Sequence, residues 1–242
     1  MSKHLRRALD QLRIDLLGQF ADVEQMVQLS VRSLVERRRD IADQVIEADT
    51  KIDMTDIRIE EECLKLLALH QPVAEDLRWV VTVIKVNDEL ERMADLACNI
   101  AERAKSLDLY PLFPVPDELS SMVTNALEMV RDSVDAFVQG NAVRATEVIK
   151  QDEQVDEQNR IVIDLLEDLM LEDKDYIIPA MHCFSAARLL EQIADIAESL
   201  AEEVIYMSEG EIVRHQHGDI QLPRSKRQKS SSPMDSEDPN EY

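Results

Sequence analysis

Glycine is nearly missing from this chain: four occur in 242 residues, at Gly18, Gly140, Gly210 and Gly218. Aromatic side chains make up only 4%. A β-sandwich or barrel needs a tight turn roughly every 8–12 residues, usually with Gly or Pro in it, and packs aromatic and β-branched residues between its sheets. This sequence supplies too few of either. Its 45% hydrophobic content must come mainly from Leu, Ile, Val, Ala and Met, so long helices are the default reading. Cysteine is also scarce. Cys63, Cys98 and Cys183 are an odd number, widely spaced, with no CxxC, which argues against a disulfide framework or a zinc knuckle and fits a reducing compartment. Basic residues are outnumbered, 27 Lys and Arg against 50 Asp and Glu, for a net charge of -23. Such a surface repels nucleic acid, whose phosphates need clustered cations. It suits cation binding or docking onto basic partners, besides plain solubility. No run of about 18 uncharged apolar residues occurs, so no membrane span is expected. The charged first ten residues are followed by no apolar stretch, so no signal peptide is expected either, and a cytoplasmic location follows as the expectation.

What the chain does have is helical periodicity. Leu5, Leu9, Leu12, Leu16, Phe20, Val23, Val27, Val31 and Leu34 recur in steps of three and four, one stripe on a helix. Charged residues 36–40 predict a tight turn. A second stripe, from Ile41 through Val45, Ile52, Ile59 and Cys63 to Leu66, ends at His70-Gln71-Pro72, because the residue before Pro avoids the helical region. A third runs over about residues 73–107. Pro111, Pro114 and Pro116 then break the helix, with Asp117 or Ser120 as candidate caps for the next. Further stripes are expected over about 119–137, closed by Gly140, then 142–171 and 175–207, with Pro179 tolerated in the first turns. The reading is all-α: two tandem antiparallel three-helix bundles. Residues 1–108 form the first, 109–116 a Pro-rich linker and 117–210 the second. Residues 211–242 read as a charged tail, disordered by composition, whose basic cluster (Arg224, Lys226, Arg227, Lys229) could touch anionic lipid or a partner.

The three-plus-three pattern is an internal repeat. Residues 45–53 parallel 148–156, and Leu90-Glu91-Arg92-Met93-Ala94-Asp95 parallels Leu190-Glu191-Gln192-Ile193-Ala194-Asp195. Asp152 lies 103 residues after Asp49, and Glu191 lies 100 after Glu91, so a shorter loop is expected in the second half. The repeated element pairs acid with acid: Asp49 with Asp53, Glu91 with Asp95, Asp152 with Asp156, and Glu191 with Asp195. Four-residue spacing puts both carboxylates on one helix face, where like charges repel by a few tenths of a kcal/mol per pair. A bound cation would reverse the sign, and hard carboxylate oxygens suit Mg, Ca, Mn or iron. Among so many acids a single pair means little. The signal is its placement, once on the second and once on the third helix of each half, where two pairs can converge. Asp88, Glu102, Glu198 and Glu202 are secondary candidates.

Nothing else reads as catalytic, and no enzyme is expected. The Glu-x-x-His pairs of oxidative di-iron bundles are missing, as is a Gly-rich phosphate loop. The five histidines do not combine with the repeated acids, and His182 reads as a packed residue. Cys98 sits beside acids that should raise its thiol pKa and blunt its reactivity. Carboxylates alone are poor ligands for phosphate unless metal ions bridge it.

At these motifs the sequence resembles the PhoU family of phosphate-transport accessory and regulatory proteins, over about residues 5–211. The most specific stretches are residues 60–78 (EEECLKLLALHQPVAEDLR), Leu90-Glu91-Arg92-Met93-Ala94-Asp95 with Asn99-Ile100-Ala101-Glu102, and Leu190-Glu191-Gln192-Ile193-Ala194-Asp195 with residues 201–206 (AEEVIY). The resemblance implies two three-helix bundles whose acidic motifs hold multinuclear clusters of divalent or trivalent metal ions (iron, zinc, manganese or magnesium). It also implies a negative regulator of the phosphate-starvation response that restrains uptake, with a phosphate ABC transporter and a sensor histidine kinase as partners. A homodimer is expected, and any membrane association would be peripheral, through those partners. Leu96 and Ile196 stand where the family usually has His, Gln192 where it has Arg, and Ser199 opposite Asn99 of the first half. These departures leave every carboxylate pair in place, but equal metal occupancy of the two halves does not follow from the resemblance. Two other readings compete: a metal-handling protein or metalloenzyme, which would need tight stoichiometric metal, and a structural oligomerisation bundle, which would need no acid pairs.

Overall fold

The computed structural model describes residues 3–110 and 113–210. Six long helices account for most of them: α1 (Lys3–Val35), α2 (Arg39–His70), α3 (Ala74–Leu107), α4 (Asp117–Gln139), α5 (Ala142–Glu172) and α6 (Ile177–Glu209). One 3-10 turn, Lys174–Tyr176, leads into α6. No strand occurs among the described residues. The expectations drawn for residues 1–2, 111–112 and 211–242, including the charged tail, lie outside the described residues.

Ion pairs between helices give the directions. Asp15 meets Arg58 at 2.8 Å and Asp22 meets Lys51 at 2.6 Å, so α1 and α2 run antiparallel. Asp43 meets Lys105 at 2.6 Å, so α3 turns back along α2. In the second half Arg144 bridges Asp132 at 2.7 Å and Asp135 at 2.9 Å, and Asn125 bonds Gln158 at 2.9 Å. These mark the register; they do not hold the fold, since exposed pairs contribute about 0–1 kcal/mol each. The core does that. Fully buried Leu16, Leu90, Met93, Ile100, Leu119, Met129, Leu166, Leu190 and Ile193 belong to one continuous apolar cluster spanning both halves, and each such side chain contributes about 1.5–3 kcal/mol.

The two bundles share a seam. Helices α3 and α6 pack on each other as well as on their own partners, and α1 touches α4. Along the seam Lys85 reaches the buried Glu203 at 3.0 Å and lies over the Tyr206 ring. Between α1 and α4, the Phe20 and Phe137 rings pack at a tilt, centroids 5.8 Å apart, and Arg131 pairs with Glu24 at 2.6 Å. Both α3 and α6 have wide buried faces rich in alanine: Ala94, Ala97, Ala101 and Ala104 on one, Ala187, Ala194, Ala197 and Ala201 on the other. Small side chains let neighbouring helices approach closely.

The joints follow local chemistry. The turn between α1 and α2 occupies residues 36–38, with Arg37 left-handed at φ 51°. Its counterpart between α4 and α5 is Gly140 at φ 60°, where glycine removes the Cβ clash. Asn141 Oδ1 then accepts from the backbone amides of Val143 and Arg144, both at 3.1 Å, and caps α5. The expected side-chain cap of α4 is absent: the helix begins at Asp117 itself, with Pro116 before it and no side-chain cap. The three-residue change in repeat offset lies in the second joint. Residues 71–73 link α2 to α3, whereas Asp173 alone separates α5 from the 3-10 turn.

Candidate metal centre

The acids singled out by the repeat do converge, one set on each bundle. In the second half Asp152 and Asp156 of α5 face Asp195 of α6, with one carboxylate oxygen from each lying within 4.8 Å of the others. Helical spacing stacks the first two, and antiparallel pairing brings the third across. Asp152 is half-buried, and its Oδ1 is buried with no hydrogen-bond partner. Burial, with Glu198, Asp195, Asp156 and Glu191 adding repulsion, pushes the Asp152 carboxyl up to about 7. Glu198 is likewise pushed up to about 7, by burial and then by Glu202, Asp195 and Asp156. Glu191 is raised by burial and by Asp195, with Arg188 opposing from 3.4 Å away. Asp195 stands on the exposed rim, but the crowding of α5 and α6 around it still raises its pKa. Asp156 adds repulsion, and Arg92 of the first bundle and Arg188 pull the other way.

In the first half Asp49 and Asp53 of α2 face Glu91 and Asp95 of α3. Glu91 is raised by burial and then by Asp95, Asp56, Asp53 and Asp49 together. Asp49 is raised by burial, with Asp53 and Asp95 adding to it and the Cys98 thiol opposing by hydrogen bonding. The grouping is looser, since among the described residues no trio here comes as close as the one in the second half.

Sequence reasoning missed Asp56. It lies one turn beyond Asp53 on the same face, and its pKa is raised by burial and by Asp88, Glu60 and Asp53. The buried Asn87 amide donates to its backbone carbonyl at 3.0 Å and to its carboxylate. The signal was available as a third acid three residues after Asp53. It escaped because Asn159 stands at the equivalent place in the second half, so the repeat did not flag it. Of the secondary candidates, Asp88 belongs to the first face through Asp56 and Glu198 to the second, while Glu102 acts on Cys98 and Glu202 on Glu198.

The residues fit a hard cation. Every donor is an oxygen, like charges are held together at a cost, and one buried carboxylate oxygen lacks a partner. They do not form a nucleophile with its base. The three thiols are all pushed up to about 12, chiefly by burial, with Asp49 adding to the shift at Cys98. His182 packs against Tyr110, with ring centroids 5.9 Å apart, and burial lowers its pKa.

Fold and site together define a class: a helical double bundle, each half carrying a carboxylate face on its second and third helices. Comparison with known proteins narrows this. The PhoU domain model matches twice, over residues 18–104 and 119–204. The chain is 38% identical over 213 residues to the phosphate-specific transport system accessory protein PhoU homolog of Aquifex aeolicus (strain VF5), covering 88% of this chain and 96% of that one. The crystal structure of PhoU from Pseudomonas aeruginosa superposes with a TM-score of 0.81 at 32% identity, covering 85% of this chain and 99% of that one. The phosphate transport system regulatory protein PhoU from Streptococcus pneumoniae gives a TM-score of 0.80 at 26% identity, with 86% and 99% covered. The chain belongs to the PhoU family. No helix among the described residues is long and apolar enough to cross a membrane.

Proposed function

We propose that this protein is a negative regulator of the phosphate-starvation response and a modulator of phosphate uptake. It acts as a metal-binding adaptor between a phosphate ABC transporter and a sensor histidine kinase. It works in the cytoplasm, meets the membrane only through those partners, forms a homodimer and catalyses no reaction. The relatives' printed role as phosphate-specific transport system accessory proteins supports the transporter side of this reading. The observation that carries the metal side is the acidic trio Asp152, Asp156 and Asp195 with its orphaned buried oxygen. Iron, manganese or magnesium suits that all-oxygen donor set better than zinc does. A cation there would neutralise the repulsion and tie α5 to α6, stiffening the surface an adaptor presents.

A phosphate-starvation reporter in the native host, grown in phosphate-rich medium, tests the reading. Loss of the gene should switch the reporter on, and the wild-type gene should silence it again. A reporter that stays silent on deletion overturns the regulatory role. The second reading, a metal-handling or metalloenzyme bundle, draws on the same trio. It predicts tight, stoichiometric metal in protein purified without added metal, and failure of the trio variants in metal homeostasis instead of phosphate signalling.

A further inference from the structure

The repeat gives the α3–α6 seam two mirrored stretches, and they are charged differently. The two helices run antiparallel: Lys85 meets Glu203 at 3.0 Å, and earlier on α3 Arg78 lies beside Gly210, further along the chain past α6. Arg92 stands seven residues after Lys85, and Asp195 eight before Glu203. Either step is about two helical turns, so Arg92 and Asp195 come out on the same faces as that ion pair, one rung further along the seam. Arg92 is not locked to its own helix. Its Nη1 is 3.7 Å from Glu89 Oε2, too long for a hydrogen bond, and its side chain is 59% exposed. Burial and Asp156 raise the Asp195 carboxyl, and the foremost group opposing them is Arg92 from across the seam, ahead of Arg188 on the same helix. The mirrored rung differs. The offset of 100 residues carries Arg92 onto Gln192 and places Asp95 where Asp195 stands, so a neutral amide replaces the guanidinium. The charged groups that bear on Glu91 and Asp49 of the first face are all acids.

We propose that Arg92 is a counter-ion that the first bundle lends to the second bundle's carboxylate trio, and that a cation entering the trio must displace it. The inference rests on the metal-binding reading above and names the residue that restrains that site. Without metal, the guanidinium offsets part of the repulsion around Asp195. A divalent ion held by Asp195 repels it, and Arg92 turns back to Glu89 on its own helix. Occupancy of the second face is thereby felt on α3, the helix that carries Glu91 and Asp95 of the first face. The first face has no such restraint, because Gln192 brings no charge across the seam. The coupling runs one way in charge: the first half supplies Lys85 and Arg92, and the second supplies Glu203 and Asp195.

Calorimetric titration of the full chain with Mn²⁺ tests this. In a background of Asp49→Ala with Asp53→Ala, binding reports the second face. Adding Arg92→Gln, which copies the residue at the mirrored place, should tighten Mn²⁺ binding severalfold, because it removes a competing charge. The gain should shrink in about 1 M salt, where charges are screened beyond roughly 3 Å. Arg92→Lys keeps the charge and should give little gain. In a background of Asp152→Ala with Asp156→Ala, Gln192→Arg should weaken Mn²⁺ binding at the first face severalfold, again less so in high salt. Binding unchanged or weakened by Arg92→Gln, or tightened equally by Arg92→Lys, overturns the proposal and leaves the metal reading standing. Where circular dichroism shows the Arg92 variants misfolded, Gln192→Arg decides, and unchanged binding in that variant overturns the proposal. Wild-type protein that takes up no Mn²⁺ overturns the metal reading and this proposal together.

Discussion

The two carboxylate faces sit on equivalent turns of equivalent helices but carry different charges. In the first half Asp56, Asp88 and Cys98 flank the paired acids; at the matching places the second half has Asn159, Arg188 and Glu198. The first face therefore extends toward the start of α3, where Asp56 and Asp88 repel, and is closed at the other end by a thiol. The second is closed at the first end by Arg188 and extended at the other by Glu198. Only the second gathers three oxygens within 4.8 Å, and only there are two carboxyls pushed up to about 7. A duplicated helix face keeps its geometry because apolar packing fixes it. Its charge pattern is free to drift because exposed neighbours cost little.

The largest effect that would break this comparison is loss of metal. Glu191→Ala with Asp195→Ala should remove the second-half metal while helicity stays intact, and Asp49→Ala with Asp53→Ala should remove less. Metal analysis of the purified proteins against wild type checks this; unchanged content in the first variant sinks the site assignment.

Next comes stability. Leu90 and Leu190 are equivalent and both almost fully buried. Each changed to Ala should cost about 2–5 kcal/mol, and each variant should unfold in one transition because α3 and α6 share a seam. Two separate transitions in urea would show that the halves are independent.

The pH dependence should differ between the faces. With Asp152 and Glu198 raised to about 7, the folded metal-free protein holds protons more tightly than the unfolded chain. Their contribution is therefore complete below the ordinary carboxylate range and is lost as pH rises through about 7. Metal-free protein should melt lower at pH 8 than at pH 5. Asp152→Asn should flatten that dependence, whereas Asp49→Asn on the first face, raised by burial but not to about 7, should alter it less. A melting temperature that rises over the same interval contradicts the sign.

The smallest and sharpest test exchanges the flanks. Cys98→Glu should bring the first face closer to the second and raise its retention of metal, and Glu198→Cys should do the reverse, with modest changes in melting temperature. Retention indifferent to both changes would mean that the flanking position plays no part.

Much of this was legible before any coordinates. Stripes at three- and four-residue steps gave six helices, because a helix that must bury one face repeats its apolar residues at that period. The Pro-rich stretch and Gly140 marked joints because they remove a donor or relieve a left-handed turn. The paired acids were visible because both halves carry them. Asp56 was not, since its counterpart is Asn159. The start of α4 lacks the cap that the pattern suggested: Pro116 holds the cap position and has no side-chain oxygen to accept from the first amides, while Asp117 and Glu118 bring negative charge to the first turn.

The sequence alone therefore determined helix positions, the repeat and the identity of the paired acids, all of which depend on short-range spacing along one chain. Tertiary structure decided what spacing cannot reach: that α3 and α6 form a seam, that Arg92 of one half lies near Asp195 of the other, and that one acidic face closes into a trio while the other stays open. Those outcomes depend on how two helices approach across space. That approach is set by the volume and shape of buried side chains far apart in sequence, and small residues such as the buried alanines of α3 and α6 permit it without announcing it.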